Sequence, residues 1–250
     1  MKTIKKIVCL FLLVTTISVF AQESTLLRYN FNKGDKYAVE MTIKQKMGTF
    51  MNMDIALNMQ MESVGKEKEN YMTTYKFERM AMNMVSAGNE VKFDSDMKDE
   101  EMGEDAKKMK AEMAPFFDML IHQTMNKYGK IVGMKFVPEI KGADQFLAQS
   151  QFTSMEYPKE AVKVGSEWSH SQSVNGMSME GTYVVKRITK GVVFADFLGK
   201  MESGAEGKMT GTVEIDRTSG MIIDMKLNMD ASAGGIEMEM IMQMKSKKVN

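Results

Sequence analysis

Few residues of this chain have the type and the spacing that catalysis requires. The two histidines, His122 and His170, stand far apart and outside an H-E-x-x-H frame, so they predict neither a zinc site nor a paired acid and base. Ser178 lies in the segment GMSMEG, which is one residue too long for a nucleophile elbow. The sequence therefore singles out no catalytic residue, and we expect a protein that is not an enzyme.

Two polar loops match ligand-binding motifs only in part. Residues 204–210 suggest a phosphate-binding loop. That motif, however, requires a glycine at the position of Glu202 and a serine or threonine at the position of Met209. A calcium loop beginning at Asp94 would carry Lys98 at its fifth position and lack the glycine of its turn. These segments predict a hairpin and a solvated acidic loop, and we expect neither a cofactor nor a metal there.

Methionine sets this sequence apart, with 30 among 250 residues. Many of these methionines alternate with polar residues over 51–61, 221–229 and 236–244. A period of two is typical of a β-strand with one buried face. Within 71–84 the apolar residues change from odd to even positions, which predicts a β-bulge near Glu78-Arg79.

The methionine-rich faces have three explanations at this stage. Methionine fills irregular gaps in an ordinary core. Its flexible side chain also suits a cavity that adapts to ligands of variable shape, such as an acyl chain. Its thioether can bind Cu(I), although same-face neighbours along one strand lie about 6.6 Å apart, which is too far for a simple chelate. The side chains expected to line the cavity of the second explanation are those of Met53, Leu57, Met59, Met225, Leu227, Met240 and Met242.

The strand pattern predicts a mainly β fold. Glycines separate the alternating runs, and the three prolines lie outside them, as antiparallel hairpins require. One-sided alternation with short connections predicts a curved antiparallel sheet or an unclosed barrel that is polar on its outer face. The length suits a single domain over residues 22–250.

Two segments break this alternation and predict helices. Apolar residues recur with helical spacing over about 99–123, and Pro138 opens a second, shorter helix in about 138–153. The first helix must bury its apolar stripe, so we expect it to cover the concave face of the sheet as a lid. The stripe residues expected to lie over a ligand are Met109, Met113 and Phe117.

Residues 1–21 have the three-part plan of a secretory signal peptide, in which a basic start precedes an apolar run and small residues. Cleavage would remove Cys9, the only cysteine, and three of the 33 basic residues, leaving 33 acidic ones and a net charge close to −3. This balance gives no reason to expect a nucleic acid partner. We expect a periplasmic or secreted protein with no transmembrane segment after cleavage.

Two short patterns occur twice. GKIVGMKF at 129–136 lines up with GMIIDMKL at 220–227, and GDKY at 34–37 is echoed by GSEW at 165–168. Either the sheet consists of two related halves, or β-hairpins share such patterns by chance.

Several features of the chain resemble those of a family of uncharacterised secreted Gram-negative β-rich proteins. These features are its leader, its strand openings KGDKY and VKVGSEW, and its hairpins YGKIVGMK and DRTSGMIIDMK. The predicted layout is also similar to the lipoprotein-carrier (LolA/LolB-like) fold. That resemblance implies an unclosed barrel that holds acyl chains, and it assigns no individual residue.

These observations leave two functions of different classes. The first is a non-enzymatic envelope protein that binds or carries a lipid or other hydrophobic ligand on its methionine-rich face. The second is a structural or interaction protein with a solid core and no ligand, and Cu(I) binding through methionines is a more distant hypothesis. A cavity on the order of several hundred Å³ would favour the first function, and a core filled to native density the second.

Overall fold

The computed structural model describes residues 23–140, 155–174, 177–202 and 206–249. The predicted signal peptide lies outside the described residues, as does all but the non-helical start of the predicted helix at 138–153. The strands are β1 (Lys36–Met47), β2 (Met51–Glu67), β3 (Asn70–Ser86), β4 (Asn89–Asp94), β5 (Leu120–Met125), β6 (Ile131–Val137), β7 (Glu167–Val174), β8 (Met177–Ile188), β9 (Val192–Glu202), β10 (Glu206–Asp216), β11 (Ile222–Ala233) and β12 (Ile236–Val249). A 3₁₀ turn (Asp99–Glu101) and helix α1 (Glu104–Phe117) connect β4 to β5.

The twelve strands of the described residues form one antiparallel sheet, in which eleven follow the order β6-β5-β3-β2-β1-β12-β11-β10-β9-β8-β7 and β4 pairs with β3. The long strand β3 pairs with two different strands along its length. Strand β5 pairs with its first half and β4 with its second half. Strands β6 and β7 stand at the two ends of this order, and nothing in the described ranges pairs them with each other. The predicted fold, mainly β with an antiparallel sheet that is not closed, is confirmed.

The strand order divides into two meanders wound in the same direction. The first contains β1, β2, β3, β5 and β6, the second contains β7 to β11, and β12 joins them by pairing with β1 and β11. The repeated sequence patterns fall at equivalent places. Gly34 and Gly165 precede the first strand of each meander, and Gly129 and Gly220 precede the last. All four glycines have positive φ, so the two halves correspond in both topology and turn geometry.

The sheet curves strongly around one face. Strands β6 and β11 are six places apart in the sheet order, which would separate them by about 29 Å in a flat sheet. Nevertheless, Ile131 of β6 and Ile222 of β11 line the same small cavity. The face that they share is therefore concave.

This concave face carries the apolar side chains. Met41 lies opposite Met244 on one side and Leu57 on the other, and all three are buried. The flanking residues Glu40 and Thr42 point to the other face and are exposed. Burial of such apolar surface, worth about 25 cal/mol per Å², explains why the register is fixed, since a slip of one residue would expose the whole row.

The predicted β-bulge is present in β3. Glu78 has no partner in β2, because the register shifts between Asn58 and Met59. Phe77 and Met80 are consequently both buried on the concave face, although one position is odd and the other even. The bulge keeps the apolar face of this long strand continuous.

Helix α1 is shorter than the predicted segment 99–123. Met119 and Ile121 are buried, whereas Leu120 between them is 37% exposed. This alternation belongs to β5, and the helical stripe does not continue through it. Pro115 lies within its last turn, where a proline disrupts less of the helix than it would in the interior.

A salt bridge lies at one end of the pairing between β1 and β12. This pairing, here called the seam, joins the two meanders. Lys248 Nζ lies 2.7 Å from one carboxylate oxygen of Asp35, and the other oxygen accepts the Asn32 N–H at 2.9 Å. The hydrogen bond from Lys248 lowers the pKa of Asp35. The stability that this carboxylate contributes is fully present above its unfolded pKa of about 3.9 and is lost as the pH falls through the lower, folded value.

We therefore expect Lys248→Met to lower the free energy of unfolding near neutral pH, and this effect should be lost as the pH falls through the lowered, folded pKa of Asp35. Urea unfolding over a pH series from neutral into the acid range measures both effects. Lys46→Met is the matched control at the other end of the seam, because Lys46 and Glu239 are 3.8 Å apart and both more than half exposed, so their pair contributes little. A pH-independent effect of Lys248→Met, or an equal effect of the control, would contradict this assignment.

Candidate functional site

The chain before β1 closes one end of the concave face. In residues 25–31, here called the plug segment, the Tyr29 N–H donates to the Lys127 carbonyl at 2.9 Å and the Asn30 N–H to the Ser219 carbonyl at 2.8 Å. These carbonyls belong to the β5–β6 and β10–β11 turns, so the plug segment bridges the two meanders. Its buried side chains are those of Leu27, Tyr29 and Phe31.

The segment before β7 reaches the same end of the sheet. The Tyr157 hydroxyl donates to the carbonyl of Gly220 at 2.7 Å, and the Tyr157 N–H donates to the carbonyl of Tyr128, also at 2.7 Å. The rings of Tyr157 and Tyr29 lie 5.1 Å apart. The leading segments of both meanders therefore meet and together form the floor of the concave face.

Above this floor the concave face forms a partly open apolar cavity of about 170 Å³. Methionines supply eight of its nineteen lining residues, and only Tyr29, Tyr75 and Gln123 have polar side chains. The lining consists of Tyr29, Phe31, Val39, Met41, Leu57, Met59, Met61, Tyr75, Phe77, Ile121, Gln123, Met125, Gly129, Ile131, Met134, Met155, Met221, Ile222 and Met244. An apolar cavity of about 150 Å³ is known to admit benzene, so this one has room for a small apolar group.

Among the described residues that line this cavity, tyrosine is the only ionisable type. Burial raises the pKa of Tyr75 to about 12, and burial also raises the pKa of Tyr29. Both phenols are therefore neutral at physiological pH. A charged ligand group would lose its hydration here without gaining a counter-ion, so the cavity favours an uncharged, apolar group.

Two of the seven predicted lining residues, Leu57 and Met59, line this cavity. The side chains of the remaining five lie on the concave face but outside the cavity wall. These residues are Met53, Met225, Leu227, Met240 and Met242. Ligand binding by any of the seven stays a prediction.

The predicted lid residues also lie outside the cavity wall. Met109, Met113 and Phe117 are partly buried against the core, and α1 packs chiefly against β3 and β4. None of the three lines the cavity. The helix therefore covers the β3–β4 side of the sheet, and its role as a lid stays a prediction.

Sequence reasoning missed the plug segment, although the repeated glycines carry a signal for it. A Cβ added to Gly129 would lie 2.2 Å from the Met155 carbonyl oxygen, and one added to Gly220 would lie 2.2 Å from the Arg28 carbonyl oxygen. Both glycines thus mark the points where a leading segment contacts a hairpin turn. A glycine that recurs at an equivalent turn can indicate close approach of another stretch of backbone.

Beyond the cavity the concave face continues toward the hairpin tips. Strand β1 runs about 20 Å from Met41 to Met47 in this direction. The methionines here are only partly buried, in contrast to those of the core. We call this surface the methionine rim, and it consists of Met47, Met51, Met53, Met84, Met229, Met238 and Met240.

The concave face of the second meander is filled by aromatic side chains. The ring of Phe197 lies over two glycines, so that a Cβ added to Gly181 or Gly199 would come within 2.2 or 2.9 Å of it. Beside it the rings of Trp168 and Tyr183 stack at 5.0 Å. The cavity therefore lies mainly beneath the first meander and the β1–β12 pairing, and it reaches the second meander at Met221 and Ile222.

Comparisons with known proteins bear on the fold. A model described as a family of unknown function (DUF6263) matches residues 141–222, in agreement with the predicted resemblance to uncharacterised proteins. A solved structure titled "Lipid-protein interactions in lipovitellin" is similar over 87% of this chain, with a TM-score of 0.57 and 9% sequence identity. The chain spans 25% of the length of that lipovitellin chain. The comparison with curated proteins found no match, and the resemblance to the lipoprotein-carrier fold stays a prediction.

Helix α1 has fourteen residues. In the described part of the chain, no helix combines the length and the apolar character that crossing a membrane requires.

Proposed function

We propose that this protein is a non-enzymatic, exported envelope protein that binds or carries a hydrophobic ligand, such as a lipid or an acyl chain, on its concave face. The observation that carries the proposal is the uncharged, methionine-lined cavity at the base of that face. The fold shared with lipovitellin, in a structure whose title names lipid–protein interactions, supports the same direction.

The size of the cavity indicates how such a ligand would lie. Its volume of about 170 Å³ is below the roughly 300–1,000 Å³ of pockets that enclose drug-sized ligands. In the proposed complex the end of an apolar chain occupies the cavity, and the following methylenes lie along the methionine rim. Methionine suits this surface because its flexible side chain adapts to chains of different shape. Each additional buried methylene would contribute about 0.8 kcal/mol, so affinity should rise with chain length.

The test is mass spectrometry of the protein purified from its own cell envelope, first in the native state and then after lipid extraction. The proposal predicts a hydrophobic ligand that accompanies the folded protein and is released by organic solvent. Binding of 1-hexanol and 1-decanol to the stripped protein serves as the second measurement. A ligand-free mass together with no binding of either alcohol would overturn the proposal.

The uncharged lining makes a separate prediction about ligand chemistry. Near neutral pH, 1-hexanol should bind at least about ten-fold more tightly than hexanoate, because a chain this short cannot enter the cavity and keep a carboxylate fully hydrated. Calorimetric titration of the same protein with both compounds measures the ratio. Equal affinities would place the ligand on a hydrated surface and contradict binding in the cavity.

A second candidate function is a structural or interaction protein of the envelope that holds no ligand. The observation in its favour is the tight packing of Phe197 over Gly181 and Gly199, which leaves no room beside the ring at these positions. Under this alternative the cavity would be a packing defect of the core. Hexanol binding that fails in the wild-type protein, together with a ligand-free native mass, would favour it.

A further inference from the structure

The methionine rim brings three thioethers together at the tip of the β1–β2 hairpin. Met47 lies opposite Met51 of β2 and opposite Met238 of β12, so three adjacent strands each place a methionine at the same level of the concave face. All three are partly exposed. The Gly48 N–H donates to the carbonyl of Glu237 at 2.8 Å and holds the hairpin turn against β12. We call these three methionines the tip cluster.

The spacing of the tip cluster suits one metal ion. Directly opposed residues have Cβ atoms about 4.5–5.5 Å apart, and the two outer methionines are separated by two strand spacings, about 10 Å. A metal–sulfur bond of about 2.3 Å, the length known for zinc and sulfur, puts the sulfurs of a trigonal site about 4 Å apart. The flexible side chains of the outer methionines can turn inward over Met47 to reach this separation.

The chemistry around the tip cluster selects the kind of ion. Thioethers are soft, neutral donors that prefer Cu(I) to Zn²⁺ or Ca²⁺. The nearest charged pair among the described residues, Lys46 and Glu239, lies on the opposite face, so this pair would not compensate a second positive charge on the concave side. In the part of the chain that the structure describes, no group of three His, Cys, Asp or Glu residues could hold a metal.

From this juxtaposition we infer that Met47, Met51 and Met238 form a binding site for a soft monovalent cation, Cu(I). Binding forms three sulfur–copper bonds, displaces the ligands that deliver the ion, and leaves its oxidation state unchanged. The site lies at the hairpin tips, outside the wall of the apolar cavity, and does not depend on hydrophobic ligand binding.

Accessibility distinguishes the tip cluster from other methionine rows of the sheet. In the described strands two further rows place three methionines on adjacent strands, but each contains at least one that is buried in the core. These rows are Met41, Met244 and Met225, and Met209, Met229 and Met240. Closing around an ion would require their buried members to leave well-packed positions.

The test uses Ag(I), which shares the charge and the softness of Cu(I) and needs no reductant. The background is the full chain with Cys9→Ser, because Cys9 is the only thiol. We expect calorimetry to detect a tight Ag(I) site, and the ¹³C-methyl resonances of Met47, Met51 and Met238 to shift before those of other methionines. Met47→Leu, which conserves volume, should weaken this site at least about ten-fold while leaving the thermal midpoint nearly unchanged.

Met229→Leu is the matched control, because Met229 is partly exposed and is the middle residue of the row formed by Met209, Met229 and Met240. We expect its Ag(I) affinity to equal that of the Cys9→Ser background. The inference is overturned if no tight site exists, if the first resonances to shift lie outside the tip cluster, or if Met229→Leu removes the site while Met47→Leu retains it.

Discussion

Replacing Met59 with tryptophan should weaken 1-hexanol binding at least about ten-fold, because the indole would occupy the cavity and each methylene it displaces contributes about 0.8 kcal/mol. Met59 lines the cavity and is only partly buried, so the larger ring can enter the open space. Overpacking costs about 1–3 kcal/mol, and the thermal midpoint should confirm that the variant is folded. Calorimetric titration with 1-hexanol then measures the affinity.

Met53→Trp provides the matched control on the same strand. Met53 points to the same face three alternations before Met59, but it belongs to the methionine rim and does not line the cavity. We expect hexanol affinity to be nearly unchanged in this variant. If the two tryptophans weaken binding equally, the short alcohol lies along the rim, and the cavity is not its site.

Gly220→Ala should destabilise the protein by about 3 kcal/mol or more, because two separate effects combine. Gly220 has a φ of +68°, and its added Cβ would lie 2.2 Å from the Arg28 carbonyl oxygen and 2.9 Å from the Tyr29 nitrogen. These are backbone atoms of the plug segment and cannot rotate away. Urea unfolding measures the loss, and hexanol affinity should fall with it because Tyr29 lines the cavity.

Gly34→Ala separates the two effects. Gly34 has a similar φ of +87°, but an added Cβ would meet nothing within 4 Å. We expect only the conformational part of the loss, about 1–2 kcal/mol. Equal losses in the two variants would mean that the plug segment does not press on the β10–β11 turn.

The strands could be predicted from the sequence because burial on one face imposes a period of two. The bulge at Glu78 is the sharpest case: the change of phase in β3 has no other explanation that keeps both Phe77 and Met80 buried. The end of α1 could not be placed in this way. Leu120 fits the helical stripe and the exposed side of a strand equally well, and pairing of β5 with β3 decides between them.

The position of the cavity could not be derived from alternation. Met53 and Met59 share one strand and one face, yet only Met59 lines the cavity. The difference arises from the curvature of the sheet and from the plug segment, both of which depend on contacts between residues far apart in the chain. In the second meander, the ring of Phe197 packs over two glycines and fills the same face. A pattern of apolar positions does not show whether such a face is filled or open.

The tip cluster illustrates the same limit. Along one strand, methionines two positions apart are about 6.6 Å apart, too far for a simple chelate. The registers of β1 with β2 and with β12 supply the closer, cross-strand neighbours that a linear reading does not contain.

The proposed function requires the cavity beneath the first meander to receive an apolar, uncharged ligand. A titration of the ¹³C-methyl-methionine-labelled protein with 1-hexanol, followed by NMR, tests this requirement. We expect saturable shifts at Met59, Met61 and Met125, which line the cavity, and unchanged resonances for Met47 and Met51 at the hairpin tips. Absence of saturable shifts, or shifts confined to the hairpin tips, would contradict it.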